Sequence, residues 1–201
     1  MKVLPCGDTG LLVEVGGLPE VLALADAVRA APPTGVLDVV AAARTVLLCV
    51  EPGTDLAAVR RAVLDLDVVP GAALSEGERV EIEVVYDGPD LAEVGELTGL
   101  GADGVVAAHT GTPWRVAFGG FAPGFAYLVG GDERLQVARR PESRTSVPAG
   151  SVGLAGEFSG IYPRSSPGGW QLIGRTDAEL WNLDRGALLT PGSTVVFREK
   201  R

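Results

Sequence analysis

The sequence predicts an α+β protein in two domains: a small α/β unit over residues 1–77, linker included, and a mostly β domain over 78–201. Three observations carry this. The first seventy residues order their apolar runs as strands, helix, strand, strand, helix. After the turn-rich stretch PGAALSEG, Val80, Ile82 and Val84 alternate strictly with Glu81 and Glu83, the pattern of a half-buried strand. Beyond His109, glycine and proline are dense yet threaded with aromatics. Thirteen of the 28 glycines and six of the 14 prolines lie between Gly111 and Gly174, beside Trp114, Phe118, Phe125, Tyr127, Phe158, Tyr162 and Trp170. A linker lacks such rings, because a chain that buries no apolar area cannot offset its ordering entropy. Short strands and tight turns follow.

Each element has a local reason. Val3 and Leu4, then Leu11 to Val15, are short strands broken by Gly7, Asp8 and Gly10. Leu18, Val21, Leu22, Ala25 and Val28 keep helical spacing up to Pro32-Pro33. Val36 to Ala42 and Thr45 to Val50 are two further strands. Thr54 and Asp55 start a helix with Leu56, Val59 and Val63 on one face. The order suggests a small sheet covered by helices on one face, as in ferredoxin-like units. In the second domain, Asp87-Gly88-Pro89-Asp90 opens a helix with Pro89 in its first turn and Leu91, Val94 and Leu97 inward. A second helix over about 102–108 delivers His109 near its end. Short strands follow, closing with Ser193 to Arg198, in a barrel or sandwich.

The 201 residues carry 17 basic and 26 acidic side chains, a net charge of −9 with a pI near 4.6. A phosphate-backbone binder needs clustered Lys and Arg, so nucleic acid is not the expected partner. No apolar run resembles a signal peptide or spans a bilayer, which makes a cytoplasmic address the default. Cys6 and Cys49 lie far apart without a CxxC and read as buried apolar thiols; no metal site is read. The only lysines are Lys2 and Lys200. There is thus no interior lysine for a phosphate-binding Gly-Lys-Ser/Thr loop, a Schiff base or a biotinylation site.

Several residues could carry chemistry. His109 is the only histidine, and a place near a helix C-terminus would favour its charged form. Gly119 to Phe125 (GGFAPGF) would turn backbone N–H groups toward an anion, or simply form a tight corner. Arg140 and Arg144 offer guanidinium forks suited to a carboxylate or phosphate. In SSPGGWQ, Gly168-Gly169 before Trp170 implies close backbone approach, and Gln171 can orient an amide or carboxylate.

The strings GFAPGFAYL, RRPESRTSVPAGSVGLAG and GIYPRSSPGGWQLIGRT resemble the family that holds the B-type subunit of 5-oxoprolinase, the kinase inhibitor KipI and allophanate hydrolase subunit 1. The likeness runs over nearly the whole chain, through His109-Thr110 to LLTPGSTVVF. It implies a C-terminal cyclophilin-like β barrel after the ferredoxin-like domain. It also implies a component of an ATP-dependent 5-oxoprolinase complex, inactive alone and acting with homologues of the C-type and A-type subunits to open 5-oxoproline to glutamate. ATP is then a cofactor of the complex, bound on this chain or a partner. The same family leaves two alternatives. One is a KipI-like protein on a sensor histidine kinase; the other is a carboxyltransferase or allophanate hydrolase component of a urea-processing system. Carried over residue by residue, His109, Gln171 and Arg140 become catalytic candidates. Phe121, Pro123, Gly124, Pro148, Gly150 and Ser151 become substrate-binding candidates, with Pro167, Gly168, Gly169, Trp170 and Arg175. Arg140 or Arg175 would hold the substrate carboxylate. Gly119-Gly120-Phe121 and Phe125-Ala126-Tyr127 depart from bulkier or proline-containing forms in the family, which bears on pocket shape.

Overall fold

The structure, a computed structural model, describes residues 1–68 and 77–200. The linker expected over 70–77 lies, apart from Gly77, outside the described residues. The chain divides into two compact units, Met1–Ser75 and Glu76–Arg201.

In the first unit β1 (Lys2–Pro5) and β2 (Gly10–Glu14) form a hairpin. Helix α1 (Leu18–Ala30) leads to β3 (Val36–Ala41), β4 (Thr45–Val50) and α2 (Leu56–Leu64). The sheet order is β1-β2-β4-β3, every neighbouring pair antiparallel. In a βαββαβ ferredoxin-like unit the last strand takes the edge beside the first. Here that edge, beside β2, is filled by β1 from the front of the chain, so the expected architecture appears with its strand order permuted. Pro19 and Glu20 open α1, and Leu18, Val21, Leu24 and Val28 form its buried stripe. The Asp55 carboxylate accepts from the Ala57 N–H at 2.9 Å and caps α2. Val46, Leu48 and Val50 point inward, so Cys49 faces the other way and is only half-buried. Cys6 lies in the β1–β2 turn and is exposed. The expectation of two buried thiols is corrected on both counts.

The second unit begins with β5 (Arg79–Val84), α3 (Leu91–Thr98), α4 (Gly101–Gly111), β6 (Trp114–Gly119) and β7 (Ala126–Val129). It continues through β8 (Arg144–Val147), β9 (Ser151–Ala155), β10 (Phe158–Ile161), β11 (Ser166–Gly168) and β12 (Gln171–Arg175). Strands β13 (Trp181–Asn182) and β14 (Gly186–Ala187) form a small ribbon before β15 (Thr194–Glu199). Seven strands form one sheet in the order β12-β9-β10-β7-β6-β15-β5. Only β15 and β5 pair in parallel; the other pairs are antiparallel.

The two edges of this sheet meet. Val85 and Arg175 exchange both backbone hydrogen bonds at 2.9 Å, and the Gly88 and Asp90 N–H groups donate to the carbonyls of Ile173 and Leu172. The result is a nearly closed barrel, as expected. Ile82, Val84, Leu128, Leu154, Ile173 and Phe197 are among its buried interior. Each such side chain contributes roughly 1.5–3 kcal/mol by leaving water.

Helices α3 and α4 pack on one another and against β12 and β15. Leu97, expected inward, is 60% exposed, whereas Gly95 is buried against the backbone of Gly101 and Ala102. Backbone approach, rather than a third apolar side chain, makes that contact. Pro89 stands just ahead of the helix, with Asp90 at its N-cap. Among the described residues no helix is long and apolar enough to cross a membrane.

Candidate functional site

On the outer face of the barrel, Phe125, Tyr162 and Trp170 pack with Val147, Ala155 and Leu172 into a second apolar cluster, separate from the interior. Phe125 is its hub. The rings of Phe121, Tyr127, Trp170 and Tyr162 meet it edge-to-face at 5.2, 5.1, 5.4 and 5.7 Å. Such pairs add about 0.5–1.5 kcal/mol each beyond their burial. Above the cluster lies a groove of two adjoining depressions, about 200 and 400 Å³, both lined by Tyr127, Arg139 and Trp170. The narrower one is finished by Phe121, Ser143, Pro167, Gly168 and Gly169, the wider one by Glu157 and Phe158.

Local backbone chemistry shapes the groove. A Cβ at Gly168 would collide with the Tyr162 hydroxyl, and one at Gly169 would stand 2.9 Å from the Ser143 Oγ. The doubled glycine therefore lets β11 lie against these side chains. Phe121 holds φ at 65°, the one non-glycine residue with positive φ among those described, and is 57% exposed. Its loop spends amides internally: Gly120, Ala122 and Phe125 donate to the carbonyls of Phe125, Gly120 and Ala122. Those three N–H groups are spent within the loop as in a tight corner and are not presented to an anion. Burial pushes the Tyr162 hydroxyl pKa up, against the opposing pull of the Trp170 backbone and the Arg139 cation.

A second depression of about 350 Å³ gathers Pro148, Ser151 and Arg175 with Asp87, Gly88 and Arg144. Its arginines are occupied. The Arg175 Nε donates to Asp87 at 2.9 Å. Arg140 and Arg144 both donate to one oxygen of Asp90, at 2.9 and 2.7 Å, while the Leu172 N–H donates to the other at 2.7 Å. Asp90 is buried, so this is a structural clamp tying α3 to β8 and β12.

The remaining candidates lie elsewhere. His109 has no exposed surface. Its Nδ1 bonds to the Tyr86 hydroxyl at 2.7 Å and its Nε2 to the Ser159 hydroxyl at 2.9 Å, and its ring stacks on Phe197 at 4.2 Å. Burial lowers its pKa to about 3, which overrides the dipole of α4 and corrects the expected charged form. Gln171 is paired with Leu154 across the barrel wall, and its buried Oε1 has no hydrogen-bond partner. Neither residue lines the depressions described. Gly124 and Gly150 serve backbone positions with φ of 83° and 79°, and Pro123 is exposed in the same turn as Phe121. The groove thus unites Phe121, Pro167, Gly168, Gly169 and Trp170, and the second depression Pro148, Ser151 and Arg175. Arg139, Ser143 and Asp90 escape sequence reasoning. Arg139 adjoins Arg140 in RRPESR, and no spacing separates a clamped guanidinium from an available one.

A family model for the carboxyltransferase domain, subdomain C and D, matches residues 1–189. The chain belongs to this family. The resemblance carried by the motifs is borne out at that level. This carboxyltransferase-domain chain is 47% identical over 127 residues to the 5-oxoprolinase B-type subunit of Escherichia coli O157:H7, covering 61% of this chain and 58% of that one. It is 45% identical over 123 residues to the corresponding 5-oxoprolinase protein of Bacillus subtilis strain 168, covering 59% and 51%. It therefore spans little more than half the length of these curated relatives. The crystal structure of TTHA0988 matches with a TM-score of 0.77 at 35% identity, over 96% of this chain and 40% of that one. Kluyveromyces lactis urea carboxylase matches with a TM-score of 0.70 over 99% of this chain and 22% of its own; at 17% identity that likeness is one of fold.

Proposed function

We propose that this chain is the B-type subunit of an ATP-dependent 5-oxoprolinase, working with homologues of the C-type and A-type subunits. The reaction adds water across the lactam C–N bond of 5-oxoproline and yields glutamate. The observation that carries this reading is the 45–47% identity to the B-type 5-oxoprolinase subunits of two bacteria.

The chain's own residues fit a share of that work and not the whole. Its two lysines, Lys2 and Lys200, supply no Gly-Lys-Ser/Thr phosphate-binding loop, which favours a nucleotide site on a partner without requiring it. The pocket residues of the barrel domain would hold and orient the lactam. With His109 buried and neutral, proton transfer by imidazole is not part of the proposal.

The test mixes the purified chain with its C-type and A-type partner homologues, 5-oxoproline and ATP, and follows glutamate. The full mixture should release glutamate and the chain alone none. Absence of glutamate from the full mixture, beside an active 5-oxoprolinase from another source, would overturn the assignment.

A further inference from the structure

We infer that the aromatic groove is a binding site for a small monocarboxylate, gripped by Arg139 in the narrower depression and seated against Tyr127 and Trp170. This deepens the function proposed above and rests on it only for naming 5-oxoproline as the natural ligand.

Availability decides which cation can serve. Arg140 and Arg144 are clamped by Asp90, and Arg175 is held by Asp87. Arg139 lines both halves of the groove, is exposed, and forms no ion pair among the described residues. In a chain of net charge −9, an unpaired guanidinium above a wall of aromatic rings is a selective anion contact. One fork matches one carboxylate. A nucleotide or phosphate chain would need several cations or a cradle of amides, and the nearby turn spends amides of Gly120, Ala122 and Phe125 on itself.

The rest of the groove sets the body of the ligand. Tyr127, Trp170 and Phe125 supply flat apolar walls, and the Ser143 hydroxyl adds a neutral hydrogen-bonding group on the narrow side. Glu157, exposed at the wide side, repels a second negative charge and confines the carboxylate to the Arg139 side. The narrower depression, of about 200 Å³, accepts a five-membered ring. Phe121 overhangs this side in a strained backbone conformation, the kind of local cost that surrounding structure sustains at ligand sites.

The experiment uses the full chain, isotopically labelled, titrated with L-5-oxoproline and with its neutral carboxamide, and read by backbone and indole NMR shifts. 5-Oxoproline should shift the Gly168 and Gly169 amides and the Trp170 indole, and the carboxamide should bind roughly tenfold more weakly. Arg139→Gln should cost 5-oxoproline a similar factor and leave the carboxamide unchanged, with Arg139→Lys recovering part of the loss. Equal 5-oxoproline affinity in wild type and Arg139→Gln, or shifts centred on Ser151 and Arg175, would overturn the site. Should glutamate release fail in the reconstituted mixture while cyclopentanecarboxylate still binds in an Arg139-dependent way, the site stands and the enzymatic reading falls. An active complex whose KM for 5-oxoproline is untouched by Arg139→Gln would sink the site and leave the enzymatic reading standing.

Discussion

His109 shows how burial reverses what position suggests. A histidine in the last turn of a helix gains from the dipole when charged, yet here the ring is sealed between Tyr86, Ser159, Trp114 and Phe197. One ring nitrogen donates and the other accepts, so the neutral form satisfies both hydroxyl partners. The unfolded chain takes up this proton near pH 6.5, whereas the folded chain declines it until about pH 3. Stability from this group is complete above pH 6.5 and falls by about 1.4 kcal/mol per pH unit below it, down to the folded pKa. Urea midpoints measured between pH 7 and pH 4 should show this slope in wild type. His109→Gln should lower stability at pH 7 and flatten the profile. An unchanged slope in the variant would mean that carboxylates alone govern acid unfolding.

At the level of elements, Asp90 fastens the start of α3 to the barrel seam. It stands at the N-cap, yet its carboxylate makes no cap bond and serves Arg140, Arg144 and the Leu172 N–H instead. Asp90→Ala would strand the Arg144 cation and the Leu172 N–H and leave Arg140 only its 3.5 Å contact with Glu93, costing about 3 kcal/mol in urea unfolding, and Asp90→Asn less. A change below about 0.5 kcal/mol would show that both cations are satisfied by solvent. Such links explain which parts of the molecule are legible in sequence. Alternation marks β5, Gly and Asp punctuation marks the turns, and helical spacing marks α1, because each signal lies within a few residues. Leu97 and Gly95 are misread because hydropathy cannot register a backbone-to-backbone helix contact. Arg139 escapes notice for a related reason: the carboxylate that distinguishes it from Arg140 lies 50 residues away from the latter. His109 is legible as a singular residue, but its environment comes from Tyr86 after β5, Trp114 on β6, Ser159 on β10 and Phe197 on β15 together.

Across the whole second unit, β15 lies between β5 and β6, pairing in parallel with one and antiparallel with the other. In the parallel pair Thr194 faces Arg79, a separation of 194 − 79, or 115 residues. No short hairpin can nucleate that contact, and the closure entropy of so long a loop must be met before any of its hydrogen bonds form. Until β15 arrives, β5 and β6 each expose an unpaired edge, and Ile82, Val84 and Trp114 lack much of their interior packing. Insertion of this strand is therefore the expected slow step of refolding. All three tryptophans, Trp114, Trp170 and Trp181, lie in this unit, so their fluorescence isolates it from the first. After dilution from urea the tryptophan signal should lag far behind recovery of helical circular dichroism; recovery of both in one fast phase would contradict this order. A chain arrested before that step would offer two open strand edges to any neighbour, so aggregation during refolding should rise with protein concentration while the completed barrel remains inert.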